Sequence, residues 1–66
     1  MNNRQEICNR IWWTFQLTEL KDRLVAIGYD TDREEVKILY TGGRIKRVNL
    51  EGQDDIEMID TIIKNL

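Results

Sequence analysis

Residues 36–50, VKILYTGGRIKRVNL, contain two runs of alternating apolar side chains on either side of a pair of glycines. Alternation with a period of two indicates half-buried β-strands, and glycines between two such runs indicate a β-hairpin. A two-residue loop would turn the apolar residues of the second strand away from those of the first, because a slip of one residue reverses every side chain. We therefore predict a three-residue loop, Thr41–Gly43, with Gly43 in a left-handed conformation that keeps both sets on one face.

A further strand is predicted directly before the hairpin. Residues 24–29, LVAIGY, alternate so that Val25, Ile27 and Tyr29 share a face. The stretch 30–33 that follows, DTDR, indicates a turn, because aspartate side chains accept hydrogen bonds from backbone N–H groups two residues further along. Three consecutive strands joined by short turns predict an antiparallel meander.

Helical periodicity flanks the predicted sheet on both sides. Residues 4–22 contain neither glycine nor proline, and apolar residues recur there at intervals of three and four, so we predict a first helix. Gly52 ends the sheet, and Asp54 with Glu57 three residues later forms a capping pattern for a second helix. The isoleucines of residues 56–63 would form the buried stripe of that helix.

The element order predicts an α+β fold in one domain spanning residues 1–66: a helix, a three-stranded antiparallel meander and a second helix. A sheet with one apolar face needs cover, so we expect both helices on that face. The expected core consists of Ile7, Ile11, Phe15, Val25, Ile27, Val36, Ile38, Val48, Leu50, Ile56, Ile59, Ile62 and Ile63.

Composition narrows the classes of function. The 66 residues carry a net charge of −2, which lacks the basic excess that is usual in nucleic-acid-binding domains. The chain has no histidine, and its single cysteine, Cys8, falls beside the apolar positions of the first helix. This placement favours a buried structural thiol over a nucleophile. We predict a protein that is not an enzyme and that uses neither a metal nor a cofactor.

The expected location is the cytoplasm. No apolar run approaches the ~20 residues of a membrane span, and the first residues, MNNRQEICNR, lack the apolar stretch of a signal peptide. We therefore expect a soluble protein with a reduced thiol and no membrane partner. A domain of this size has a small core and therefore a marginal stability. Dimerisation commonly stabilises domains this small, so we expect a homodimer.

Two neighbouring tryptophans, Trp12 and Trp13, cannot both point into one small core, because neighbours on a helix point about 100° apart. Trp12 lies beside the expected core stripe, whereas Trp13, Leu17 and Leu20 follow a second apolar stripe on nearly the opposite side. Either the helix breaks near residues 14–18 and rotates its apolar face, or the second stripe contacts another chain. We favour a partner contact for Trp13.

The outer face of the predicted sheet also carries apolar side chains, namely Leu24, Ala26, Leu39 and Ile45. A half-exposed antiparallel sheet usually alternates apolar and polar residues cleanly, so this mixed face is a second candidate for partner binding. Single exposed apolar residues are equally common on protein surfaces, and the sequence favours neither explanation.

A basic cluster, Arg44, Lys46 and Arg47, begins directly after the predicted hairpin loop. Such side chains bind phosphates, which makes nucleic-acid or nucleotide binding the alternative function. Charged residues also protect edge strands from pairing with other chains, and the third strand would be an edge. We favour this protective role.

Several short motifs lie between residues 25 and 66: Tyr29-Asp30, Gly43, Arg47-Val48-Asn49-Leu50, Asp54, Met58 and Thr61-Ile62-Ile63. In these motifs the chain resembles a group of short α-β-β-β-α proteins encoded by phages, prophages and mobile elements of Gram-positive bacteria. The resemblance implies such an origin and the same element order, and it implies no particular activity.

These features predict a non-enzymatic phage-type protein that acts by binding another protein and that forms a homodimer. The residues expected at the partner contacts are Trp13, Leu17, Leu20, Leu39 and Ile45. Small phage proteins include inhibitors of host defence systems, so a host defence protein is a candidate target by analogy.

Overall fold

The computed structural model describes residues 3–66, apart from the side chains of Leu20 and Lys21. The elements follow in the order α1 Asn3–Phe15, a 3-10 helix Glu19–Asp22, β1 Leu24–Asp30, β2 Glu35–Tyr40, β3 Ile45–Asn49 and α2 Asp55–Asn65. The strands pair antiparallel in the order β1-β2-β3. This confirms the predicted α+β fold, in which both helices pack on one face of a three-stranded meander.

The β2–β3 hairpin has the predicted three-residue loop. The N–H of Tyr40 donates to the carbonyl of Arg44 at 2.8 Å, which leaves Thr41–Gly43 as the loop. Gly42 and Gly43 have φ angles of 96° and 88°, a region that residues with a Cβ rarely adopt. The glycines thus permit this loop, and its length places the apolar residues of both strands on the face that the helices cover.

A β-bulge at Val25 shifts the pairing of β1 with β2. Leu24 lies opposite Tyr40 and is buried, whereas Val25 is exposed, so the prediction of Val25 in the core and Leu24 on the outer face is wrong. Beyond the bulge the expected alternation returns, since Ile27 is buried opposite Ile38. The alternating pattern could not reveal the extra residue, because both neighbours of Val25 are also apolar.

The first helix ends at Phe15 rather than near residue 22, so its predicted length is wrong. The break near residues 14–18, which the sequence left open as one of two alternatives, is present. The N–H groups of Leu17 and Thr18 donate to carbonyls three residues earlier, and the Thr18 hydroxyl donates to the carbonyl of Phe15 at 2.7 Å. Bonds of this shorter span tighten the chain and end an α-helix. A hydroxyl that binds the backbone also competes with the helical pattern.

The core lies between the sheet and the two helices. Met58 and Ile62 of α2 are fully buried, whereas Ile56 and Ile63, which were expected in the core, are exposed. A helix on one sheet buries one side, and the flexible side chain of Met58 occupies that side here. The buried residues are Cys8, Ile11, Leu24, Ile27, Val36, Ile38, Leu50, Met58 and Ile62. Four further residues of the expected core are partly buried against them: Ile7, Phe15, Val48 and Ile59.

Polar side chains of α1 attach it to the sheet edge and to α2. The Gln5 side-chain oxygen accepts from the N–H of Tyr29 at 2.8 Å, and its nitrogen donates to the carbonyl of Ile27 at 3.4 Å. These backbone groups lie on the free edge of β1, so Gln5 occupies part of the position that another strand would take. Arg4 donates to the carbonyl of Gln53 beside the N-terminus of α2, so both helices begin at the same end of the molecule.

The predicted turn and the predicted helix cap are both confirmed. Oδ1 of Asp30 accepts from the N–H groups of Asp32 and Arg33 at 3.0 and 3.3 Å. Oδ1 of Asp54 accepts from the N–H of Glu57 at 2.8 Å. In each case a short aspartate side chain satisfies backbone donors that would otherwise lack a partner.

Candidate interaction surfaces

Trp13 and Leu17 lie at the end of α1 and form what we term the α1-end surface. Trp13 is 65% exposed and Leu17 82%. Trp12 is half-buried against the core, with its ring centroid 6.2 Å from that of Trp13. The prediction that Trp12 lies beside the core and that Trp13 points away from it is therefore confirmed. Leu20, the third predicted member, lies outside the described side chains.

Leu39 and Ile45 come together on the outer sheet face, which is the face that the helices leave uncovered. They are direct neighbours in the β2–β3 pairing, and Ala26 of β1 lies opposite Leu39 on its other side. Ile45 is exposed and Leu39 half-buried. Because the α1-end surface belongs to the helix side of the sheet, the residues predicted to bind a partner are divided between two surfaces.

The predicted phosphate-binding cluster is also divided. The guanidinium of Arg44 lies 4.7 Å from the centroid of the Tyr40 ring, and Nζ of Lys46 donates to the carbonyl of Asn65 at 3.0 Å, so both lie on the helix side. A cation is favourable at that position, since it satisfies a terminal carbonyl of α2. Arg47 belongs to the outer sheet face, because alternate residues of a strand face opposite sides. Nucleic-acid binding through these three residues stays a prediction.

α2 carries an apolar surface that sequence reasoning missed. Ile56, Ile59 and Ile63 are spaced by three and four residues, so they share one side of the helix, which we term the α2 outer stripe. Ile56 is 79% exposed, Ile63 47%, and Ile59 is partly buried. The sequence contains a second apolar set on this helix, Met58 and Ile62, but the spacing alone does not tell which set the helix buries.

The two ends of the molecule differ in charge, although the net charge is only −2. The acidic end contains the β1–β2 turn and the N-terminus of α2, which adjoin because the N–H of Leu50 donates to the carbonyl of Glu34 at 2.8 Å. Its acidic residues are Asp30, Asp32, Glu34, Glu35, Glu51, Asp54, Asp55 and Glu57, with Arg4 and Arg33 among them.

The basic end contains the hairpin loop and the C-terminus of α2, which meet where Lys46 contacts Asn65. A groove of about 400 Å³ lies there, lined by Arg23 and Arg44 among others. The basic residues of this end are Arg23, Arg44, Lys46 and Lys64, with Glu19, Asp22 and Asp60 nearby. The fold thus gathers most of the acidic residues at one end and leaves a small excess of basic residues at the other.

Cys8 is fully buried in the core. Burial raises the pKa of its thiol from the ordinary value of 9.0 to about 11, and a backbone hydrogen bond opposes this effect more weakly. At neutral pH the thiol is therefore protonated, unlike the thiolate of a catalytic cysteine. Among residues 3–66, the structure contains no group of three or more histidine, cysteine, aspartate or glutamate residues arranged to hold a metal ion.

None of the helices in the described part of the chain is long and apolar enough to cross a membrane. No family model, no curated protein and no solved structure matches the chain. The surfaces of the fold are therefore the guide to its function.

Proposed function

We propose that this chain is a non-enzymatic protein-binding domain of the phage or mobile-element type, which works as a homodimer in the cytoplasm. The observation that carries the proposal is the number of large apolar side chains at the surface of so small a domain. Six of them are exposed among the described residues: Trp13, Leu17, Val25, Ile45, Ile56 and Ile63. Exposed apolar area rimmed by polar residues is typical of interaction sites.

The α1-end surface is the part that we propose for a partner other than a second copy. Tryptophan is enriched among the residues that contribute most to binding energy. Trp13 stands on a helix that Cys8 and Ile11 hold in the core, and short-range backbone bonds hold the chain at Leu17. An anchor that is fixed before binding loses less conformational entropy on binding. The complementary partner surface is an apolar pocket that accepts an indole ring.

The resemblance to phage and mobile-element proteins supports a target inside the host cell, and we propose a host defence protein as the first target to test. A free cysteine that is buried rather than paired fits a reducing compartment. The homodimer is supported by the small core, which leaves stabilisation to be gained from association.

Affinity capture from host cells tests the α1-end surface. We compare the wild type with Trp13→Ala and with Val25→Ala, which removes an exposed apolar side chain elsewhere on the domain. We expect a partner that the wild type and Val25→Ala retain equally and that Trp13→Ala retains at least about tenfold less. Equal retention by all three proteins would contradict the proposal for this surface.

A further inference from the structure

We infer that two copies of this chain form an antiparallel dimer through the α2 outer stripe. The inference rests on the proposed homodimer and adds the face and the direction in which the copies meet. Two features of the molecule support it: the burial pattern of α2 and the opposite charges of the two ends.

Ile56 and Ile63 of the α2 outer stripe point away from the domain's own core, whereas Ile59 lies at the border of that core. Ile56 lies ~160° around the helix from the fully buried Met58, whereas Ile56 and Ile63 differ by only ~20° in direction. Two exposed isoleucines, Ile56 and Ile63, flank the partly buried Ile59 and leave apolar area of α2 that the domain's own core does not cover. Isolated exposed apolar residues are ordinary, but a continuous stripe on one helix matches the pattern of a helix–helix interface.

The charges at the two ends identify a second copy as the occupant. α2 runs from the acidic end, where Asp54 and Glu57 lie, to the basic end. There Nζ of Lys46 donates to the carbonyl of Asn65, and Lys64 forms an ion pair with Asp60 at 2.8 Å. If the α2 helices of two copies pack antiparallel, the acidic end of each copy lies beside the basic end of the other. A parallel arrangement would instead bring like charges together, which is unfavourable.

Two-fold symmetry fits this arrangement. A two-fold axis brings the same patch of both copies together, so the patch must be complementary to itself. An axis midway between Ile56 and Ile63 places each Ile56 opposite the partner's Ile63. Glu57 then lies within about 3 Å, along the helix axis, of the level of the partner's Lys64. Asp60 of both copies also lies near this axis, where the ion pair of each with its own Lys64, at 2.8 Å, offsets the like charge. The isoleucines at the centre and the opposite charges further out otherwise follow the usual anatomy of a protein interface.

Disulfide trapping tests the direction of packing. Ile56→Cys and Ile63→Cys proteins are oxidised separately and as an equimolar mixture, and the native Cys8 is protected by its burial. In the antiparallel dimer, a covalent dimer forms only in the mixture. Residues 56 of the two copies are ~10 Å apart along the helix axis there, beyond the ~7 Å Cα separation that a disulfide spans. Covalent dimers from each protein alone would overturn the antiparallel arrangement.

Sedimentation equilibrium tests whether the α2 outer stripe is the face through which the two copies associate. We compare the wild type, Ile56→Ser/Ile63→Ser and Trp13→Ala. Ile45→Ser, which alters an exposed isoleucine on the outer sheet face, is the control. We expect the double substitution to raise the dimer Kd at least about tenfold and the control to leave it unchanged. Circular dichroism checks that the double variant is folded, which its exposed positions favour.

The same experiment separates this inference from the proposed function. A wild-type dimer that Trp13→Ala abolishes and the α2 substitutions leave intact would overturn the α2 face while supporting a homodimer. A wild type that is monomeric at tens of micromolar would overturn the homodimer and this inference together, and the capture experiment would still decide the α1-end surface.

Discussion

At the scale of single residues, Met58 and Ile56 of α2 illustrate how the fold divides apolar side chains between core and surface. Met58 is fully buried and Ile56 is 79% exposed, although they are two residues apart. We expect Met58→Ala to lower the free energy of unfolding by ~2–5 kcal/mol, because it leaves a cavity. Ile56→Ala, measured at concentrations where the chain is monomeric, should change it by less than ~0.5 kcal/mol. Urea denaturation measures both changes in the free energy of unfolding. Equal losses for the two variants would contradict the orientation of α2, in which Met58 is buried and Ile56 is exposed.

Cys8 gives the fold a dependence on alkaline pH. The thiol titrates near 9 when unfolded and near 11 in the folded protein, since burial disfavours the thiolate. The folded state therefore holds this proton more tightly, and the associated stability is complete below pH 9 and is lost as the pH rises toward 11. The shift corresponds to a loss of at most ~3 kcal/mol.

Urea unfolding between pH 8 and pH 11, on the wild type and on Cys8→Ala, measures this loss. All other ionisable groups are common to both proteins, so their contributions cancel in the comparison. We expect Cys8→Ala to lose less stability than the wild type across this range. Parallel curves would show that the burial of the thiol does not contribute.

At the scale of elements, Gln5 joins α1 to the free edge of β1. Its side chain bonds the N–H of Tyr29 and the carbonyl of Ile27, as a neighbouring strand would. We expect Gln5→Ala to speed hydrogen exchange at the Tyr29 amide about tenfold, with a stability loss of ~1–2 kcal/mol. The Gly28 amide faces β2 and should exchange faster only by the factor that the global stability loss sets, so a larger increase at Tyr29 reports the lost side-chain bonds. Gln16→Ala is the matched control, and an equal effect there would contradict a specific role for Gln5.

The elements also show what the sequence could and could not predict. The hairpin was predictable to the residue, because Gly42 and Gly43 act locally and only one loop length keeps Val36 and Val48 on one face. The exposure of the α2 outer stripe was not predictable, because Ile56 fits the helical spacing of apolar residues as well as the buried residues of α2 do. Which apolar set a helix buries depends on the shape of the sheet beneath it, and a spacing pattern contains no information on that shape.

The candidate surfaces were also predictable only in part, because some of their features are local and others depend on the fold. The exposure of Trp13 followed from its position opposite the core stripe of α1, which is a local property. The separation of Arg47 from Arg44 and Lys46 follows from strand alternation and was also readable in the sequence. The acidic and basic ends depend on which turns the fold brings together, so they required the structure.

At the scale of the whole molecule, the two ends differ in more than charge. Both helices begin at the acidic end, where the positive ends of their dipoles lie, and α2 finishes at the basic end beside Lys46. The side-chain charges at each end are thus opposite in sign to the helix-dipole charges there, which is favourable within one domain. The same arrangement makes the molecule complementary to an antiparallel copy of itself.

This complementarity predicts that the position of a charge matters more to the dimer than the net charge. Glu57→Gln and Glu19→Gln each remove one negative charge from an exposed residue, the first at the acidic end and the second at the basic end. We expect Glu57→Gln to raise the dimer Kd several-fold at low salt, because it weakens the attraction to the partner's basic end. Glu19→Gln should leave the Kd unchanged or lower it.

The effects of both substitutions on the Kd should shrink in 0.5 M salt, where screening limits charge interactions to a few ångströms. Sedimentation equilibrium at both salt concentrations measures the effect, and equal shifts for the two variants would mean that only net charge matters.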